Sequence, residues 1–415
     1  MSLKTPIIAA AVVVLTMPAI AADKKIPAPL ALEGPAYANP WKRYGDWPKT
    51  DWKDFNTLVV TRSPAPPKPG AMRKIDGPIQ GDPEKGMKLA FDRKRGGSCV
   101  ACHVFGPKTP EMPGEVGPDL SEIGNAGRSD EYLFNQIFDA RVVNPDTVMP
   151  PWGAHGVYTD EEIKDMVAFL KTLKTPATFK NALDNPASRP APVEDRDNFD
   201  PFVNTAMNAV DEAQALWIKA GPTGKACASC HTDPRKYASW AATMPKWEPR
   251  MKKVLGIEEF VARHSLATTG IAMPMQSPEN SAFAIYLRYL ANGQPMAVDT
   301  KSKQAKAAIE KGKRLMLRKI GQLNFACVDC HSPDKGGNKW IRGQWLGEPR
   351  GQLDHFPTWR TSKNEIWDIR KRFQWCGAAI RANELPPDAP EYGYLEIALA
   401  AMNNGLKLSV PGIRH

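Results

Sequence analysis

Six of the seven cysteines in this chain fall into three clusters of one form: Cys99-Val-Ala-Cys102-His103, Cys227-Ala-Ser-Cys230-His231 and Cys327-Val-Asp-Cys330-His331. A Cys-x-x-Cys pair alone reads as a redox dithiol or as half of a zinc site. Neither needs a histidine. The chain has only 7 histidines in 415 residues, so one following each pair by chance has a probability of roughly a few per million, and the motif is that of c-type haem attachment. Two thioethers anchor the porphyrin edge, and the adjacent histidine is delivered to the iron. The expectation is three covalently bound haem c groups, with His103, His231 and His331 as proximal ligands.

Each iron then needs a distal ligand. Met149, in Val148-Met149-Pro-Pro-Trp-Gly153, is a thioether before a proline turn, the usual partner in an electron-transfer cytochrome. The lone Cys376 follows Arg370-Lys-Arg372-Phe-Gln-Trp375, a basic setting that favours its thiolate as ligand of the third haem. The second unit has no cysteine left. Counted from His231, Met273 or Met275 stands at the distal spacing; counted back from the closing helix, His264 precedes Phe283 by the same 19 residues that separate Cys376 from Leu395. The second ruler is the better one, because the loop after the haem motif varies freely whereas the distal ligand must dock on the closing helix. His264 is therefore the expected ligand, with Met273 or Met275 as the alternative. His155, His355 and His415 read as surface or structural residues.

These ligands require helices before and after each motif. Asp82-Pro83 opens the first leading helix with an N-cap and a proline in the first turn, and 210–218 and 305–317 hold the same place before the other motifs. Ile163/Met166/Val167/Leu170, Phe283/Tyr286/Leu287/Leu290 and Leu395/Ala398/Leu399/Met402 repeat at i, i+3, i+4 and i+7, the signature of a buried helical face. Strand signals are scarce. The expected fold is all-α: three tandem cytochrome c-type domains with long Pro-rich connectors. Their extents are 81–176, 201–296 and 297–415, with a linker at 177–200 and an N-terminal extension at 23–80. That extension, with Pro64-Ala-Pro-Pro67 and Trp41, Trp47 and Trp52, is expected to wrap the domains and is assigned no chemistry.

Residues 1–22 read as a secretory signal: Lys4, an apolar run from Pro6 to Ile20 and a small-residue Ala19-Ile-Ala21 site. The run is short for a bilayer and no other apolar stretch reaches 18 residues, so no membrane span is expected in the mature chain. The composition, 42% hydrophobic and 24% charged with 39 prolines, is globular, and the net charge of +10 favours anionic partners without a nucleic-acid signature.

Gly117-Pro-Asp-Leu120, Gly124-Asn-Ala-Gly-Arg128 and Asp139-Ala-Arg141 through Met149-Pro-Pro-Trp-Gly153 resemble the X subunit of the SoxAX cytochromes of the periplasmic Sox sulfur-oxidation system. Gly224 through His231, Phe356-Pro-Thr-Trp-Arg360, Arg372-Phe-Gln-Trp-Cys376 and Ile380-Arg-Ala382 resemble the A subunit. The resemblance implies an L-cysteine S-thiosulfotransferase that oxidatively joins thiosulfate to a cysteine of the SoxYZ carrier protein. It implies that Cys376, a persulfide in the family, is the distal ligand of the active-site haem. It also implies that Arg372 is the active-site arginine, suited to hold a sulfonate-like oxyanion through two hydrogen bonds. Electrons would pass to the Met149 haem and on to a soluble cytochrome c. Two departures stand out: the X-like and A-like parts are fused, and His264 occupies the place where two-haem A subunits carry a cysteine. The rival readings are a thiosulfate dehydrogenase forming tetrathionate and a non-catalytic multihaem electron carrier.

Overall fold

The computed structural model describes residues 27–41, 52–94, 98–192 and 198–415. The expected signal segment, Trp47 and part of the 177–200 connector lie outside the described residues.

The first unit is built on α1 (Pro83–Phe91), α2 (Asp130–Asp139) and α3 (Asp160–Thr172). Asp82 caps α1 by accepting from the Glu84 and Lys85 amides, and Thr159 and Glu162 form a reciprocal capping box on α3. The crossing of α1 and α3 is close enough that a Cβ on Gly86 would lie 2.0 Å from the Asp165 carbonyl, so only glycine fits there. Phe105 and Phe169 stack in the core beneath this crossing and Phe91 meets both edge to face, with Phe134, Trp152 and Ile163 alongside.

The second unit contains α4 (Asn208–Ile218), α5 (Cys227–Cys230), α6 (Ala238–Ala241), β1 (Lys246–Glu248), β2 (Lys253–Leu255), α7 (Ile257–Thr268) and α8 (Pro278–Tyr289). The third follows with α9 (Lys303–Leu317), α10 (Cys327–His331), β3 (Lys339–Ile341), β4 (Gln344–Leu346), β5 (Thr358–Arg360), β6 (Glu365–Trp367), α11 (Ile369–Ala379), α12 (Pro390–Asn403) and β7 (Gly412–Arg414). The leading helix α9 again crosses its closing helix α12 at a glycine: a Cβ on Gly312 would meet the Tyr394 carbonyl at 2.0 Å. One continuous hydrophobic cluster runs from Ala206 to Val410 and serves both units. Residues 296–297, at the join of the two units, are held in it by amide bonds from Met296 to Leu406 and from Ala297 to Ala242.

Among the described residues three small sheets correct the all-α expectation: antiparallel β1-β2, antiparallel β3-β4, and β6-β5-β7, in which the C-terminal β7 runs parallel to β5. Each strand is three residues long. That is too short for an alternating pattern to register in a sequence, since a period of two needs about four residues or more to be read.

The β3-β4 hairpin has no counterpart in the second unit, and it docks on the first. The Glu115 amide donates to the Trp340 carbonyl at 2.9 Å, the Trp340 amide to Glu115 Oε1 at 3.0 Å, the Arg342 amide to the Ala101 carbonyl at 3.1 Å, and the Arg342 guanidinium to Ser98 Oγ at 2.7 Å. Arg189, from the connector, is buried with its guanidinium 4.9 Å from the Trp340 ring centroid. The N-terminal extension touches every unit: Ala36 meets Met275, Asn56 bonds the 319–321 turn, and Arg73 pairs with Asp160 at 2.6 Å.

Candidate haem sites and the Cys376 centre

Haem ligation by a Cys-x-x-Cys-His motif needs the histidine Nε2 to be free of its proton. Holding the proton on Nδ1 achieves this, and the chain provides a partner each time. His103 Nδ1 donates to the Pro118 carbonyl at 2.7 Å, and His331 Nδ1 to the Gly347 carbonyl at 2.7 Å. His231 Nδ1 lies 2.5 Å from the Tyr237 hydroxyl. Burial pushes all three imidazoles below their ordinary value, towards the neutral form that a metal binds. A Cβ on Gly117 would sit 2.3 Å from the His103 ring, which explains the glycine of the Gly117-Pro-Asp segment. Burial also raises the Cys99, Cys102 and Cys327 thiols to about 12, an apolar setting that suits neutral thioethers. The residues present fit covalent haem.

The second site is an open cavity of about 380 Å³ lined by Cys227, Cys230, His231, Phe260, His264 and Met273, among others. The His231 and His264 ring centroids are 5.9 Å apart. Metal–imidazole bonds of about 2 Å make that a separation at which two imidazoles can share one metal atom. His264 donates from Nδ1 to the Pro29 carbonyl at 2.8 Å, and Phe260 stacks on its ring at 5.3 Å. Met273 lines the same cavity but is buried in the core, whereas Met275 packs in a separate cluster with Ala36 and Ala262. In the first unit Met149 is half-buried against the core that also receives Cys99. Its amide donates to Thr147 Oγ1, and Asp139 and Arg141 form a buried ion pair at 2.8 Å nearby in the chain.

The third site draws on α10 and α11. Cys376 lies close enough to Cys327 and Cys330 to act on both electrostatically, and Arg372 acts likewise on His331. Cys102 of the first unit also acts on Cys330. Arg372 and Cys376 are four residues apart, on one face of α11, and the Arg372 guanidinium lies 4.4 Å from the Trp375 ring centroid. The basic setting read from the sequence is narrower in the structure. Arg370 is completely buried and paired with Glu259 at 2.9 Å and Glu396 at 2.8 Å, while Lys371 pairs with Glu365. Two positions along a helix turn a side chain by about 200°, so Arg370 faces the core while Arg372 has no ion pair among the described residues.

His155 and His355 are buried and His415 is exposed. His155 Nδ1 donates to the Gln322 carbonyl at 2.7 Å and so joins the first unit to the third. Sequence reasoning missed Pro29 and Arg342, because each acts on a motif from a distant segment, and Tyr237, whose place six residues past His231 gave a local signal.

Residues 212–296 match the family model described as SoxA/TsdA, cytochrome c domain, and residues 91–170 match the one described as cytochrome C oxidase, cbb3-type, subunit III. The L-cysteine S-thiosulfotransferase subunit SoxA of Pseudaminobacter salicylatoxidans is 31% identical over 52% of this chain and 75% of its own length. The same subunit from Paracoccus pantotrophus is 31% identical over 53% of this chain and 74% of its own. This chain belongs to the SoxA family of L-cysteine S-thiosulfotransferases. It is a SoxAX-type cytochrome with covalently bound haem c. The crystal structure of SoxXA from P. pantotrophus covers 52% of the chain at 27% identity with a TM-score of 0.48.

Within this SoxA-family chain the second and third units repeat at a fixed offset. β1, β2, α7 and α8 begin at 246, 253, 257 and 278, and β5, β6, α11 and α12 begin 112 positions later, at 358, 365, 369 and 390. The same offset carries His264 to Cys376 and Phe260 to Arg372. Where the second unit stacks an apolar ring on a histidine, the third offers a guanidinium beside a thiol.

Between the two units lies a buried charge network. Glu258 is enclosed beside Glu396 and Asp368, with Arg288 acting against them, and burial followed by the Glu396 charge pushes its carboxyl up to about 8. The folded chain therefore holds a proton that the unfolded chain has lost above about 4.5. Stability falls as pH rises through that window, by up to about 1.4 kcal/mol per pH unit. Glu258→Gln is expected to flatten this slope, checked by melting temperatures of both proteins from pH 5 to 8; parallel slopes would reject the assignment.

Proposed function

We propose that this chain is a periplasmic trihaem cytochrome that joins thiosulfate to a cysteine of the SoxYZ carrier protein. In this reading residues 1–22 direct export, 81–176 are an X-like domain, 201–296 and 297–415 are A-like domains, and the extension and Pro-rich connectors hold them together. His103 and Met149, His231 and His264, and His331 and Cys376 are the three ligand pairs. The carrier thiol loses its proton to solvent, an S–S bond forms to the outer sulfur of thiosulfate, and two electrons leave: RSH + S₂O₃²⁻ gives RS–SSO₃⁻, H⁺ and 2 e⁻. Haem c, when bound, supplies one-electron acceptors for this step.

The observation that carries the reading is the meeting of Arg372 and Cys376 with the third haem motif. Arg372 holds the sulfonate end of thiosulfate through paired N–H donors, with Trp375 beneath it limiting its swing. Cys376 stands one helical turn further along α11. The β3-β4 hairpin keeps the first motif against the third, where a haem held by His103 and Met149 would supply the route for electrons to a soluble cytochrome c. Among the described residues no helix is long and apolar enough to cross a membrane.

Replacing Arg372 separates binding from electron transfer. Loss of a charged hydrogen bond costs about 1.5 to 3 kcal/mol, which is about 10- to 150-fold in kcat/KM. Arg372→Ala is expected in that range and Arg372→Lys between it and the parent, with the Met149 haem still reduced normally by an artificial donor. Unchanged thiosulfate kinetics would remove Arg372 from the site. Product analysis tests the reaction itself: thiosulfonated carrier supports it, tetrathionate formed without the carrier points to a thiosulfate dehydrogenase, and no turnover with intact haems points to an electron carrier.

A further inference from the structure

The second haem site is completed by a segment more than two hundred positions away. Ala28 and Pro29 line its cavity, and the Pro29 carbonyl is the acceptor for His264 Nδ1 at 2.8 Å. Proline offers an acceptor without a backbone donor, so the interaction has one sense: Nδ1–H donates and Nε2 keeps its lone pair. The segment around Pro29 is tied down on both sides. The Arg250 guanidinium donates to the Ala28 carbonyl at 2.9 Å. The Ala31 amide donates to the Arg263 carbonyl at 3.0 Å, and the Arg263 guanidinium returns bonds to the Ala31 and Gly34 carbonyls at 3.0 and 3.2 Å. Beyond the Gly34 turn, Ala36 bonds Asp388 and Met275. Arg263 immediately precedes His264 in α7, so the strap is bolted to the residue beside the one it orients.

We propose that residues 28–36 are a positioning strap for the second haem, with the Pro29 carbonyl fixing His264 as its distal ligand. This rests on His264 being that ligand. A carbonyl acceptor on Nδ1 fixes the tautomer and ring orientation and makes the imidazole a stronger donor to iron, which favours the oxidised metal and lowers its potential. Cys376 at the matching place in the third unit has no second ring nitrogen to orient. The strap thus gives the two A-like haems different potentials and keeps exogenous ligands off the second.

The test uses the full holoprotein in three forms: the parent, a deletion of residues 28–36, and His264→Ala. The readouts are haem content, the low-temperature EPR signal of bis-histidine haem, carbon monoxide bound per reduced chain, and the second haem's midpoint potential. In the parent the bis-histidine signal is expected. In the deletion that signal falls, one further haem per chain binds carbon monoxide, as in His264→Ala, and any histidine-ligated fraction left titrates at a higher potential. If the deletion fails to load haem, Gly34→Val replaces it: φ there is +74° and nothing lies within 4 Å of the added Cβ, so it strains the strap without a collision, and a partial loss of the same signal is expected. A deletion, or in its place Gly34→Val, that keeps the parent's signal, carbon monoxide inertness and potential overturns the strap. If His264→Ala leaves the signal and carbon monoxide binding of the parent unchanged, His264 is not the ligand and the proposal falls with that reading.

Discussion

Cys376→Ala is expected to reduce thiosulfate-dependent turnover to background while the covalent haem content stays that of the parent. Attachment depends on the Cys-x-x-Cys-His segments, which are complete without the distal ligand, and a half-buried sulfur contributes about 1 kcal/mol or less to the fold. The loss should therefore be chemical. Haem content by the pyridine haemochrome method and turnover with thiosulfate and carrier protein, measured on one preparation, separate the two effects. Near-normal turnover would remove Cys376 from the reaction and leave Arg372 with an anion but no chemistry beside it.

Arg370→Met should have the largest effect on stability. Arg370 is fully buried, donates to Glu259 and Glu396, and also reaches the Pro387 and Val254 carbonyls. Removing one partner of a buried ion pair costs about 3 to 5 kcal/mol, because the remaining charge stays buried without compensation. Glu259 retains Lys253 at 2.7 Å and Arg263 at 3.0 Å. Among the described residues Glu396 retains no cation of that kind, and it faces Glu258. For a core of about 200 residues the loss corresponds to a fall of roughly 6 to 20 °C in melting temperature. The double variant Arg370→Met/Glu396→Gln should recover part of it, since the stranded carboxylate is gone. A shift below about 2 °C in the single variant would show that the network contributes little. Because Arg370 ties α11 to α7 and α12, both the Cys376 and His264 sites should loosen together, visible as Soret changes that precede global unfolding.

The haem motifs and the helices around them were legible because their causes are local. Two thioether cysteines and a ligand histidine sit within five residues, Asp82-Pro83 caps its own first turn, and the apolar faces of α3, α8 and α12 follow from helical period alone. The correspondence of His264 with Cys376 was legible for a related reason: each stands 19 residues before an apolar position of its closing helix, and the loop after each Cys-x-x-Cys-His motif absorbs the difference in length, as the β3-β4 insertion does.

What the tertiary structure decided are the pairings between residues distant in the chain and the burial that assigns each charge its partner. From sequence, Arg370 and Arg372 are two equal cations near Cys376. Packing buries the first between Glu259 and Glu396 and leaves the second without an ion pair among the described residues. Pro29 carried no chemical signal, since a backbone carbonyl looks the same at every residue until folding brings it to His264. The hairpin that sets Arg342 against Ser98 and brings the first haem motif to the third was equally invisible, because three-residue strands leave no period to read and their register is set only by what they pack against.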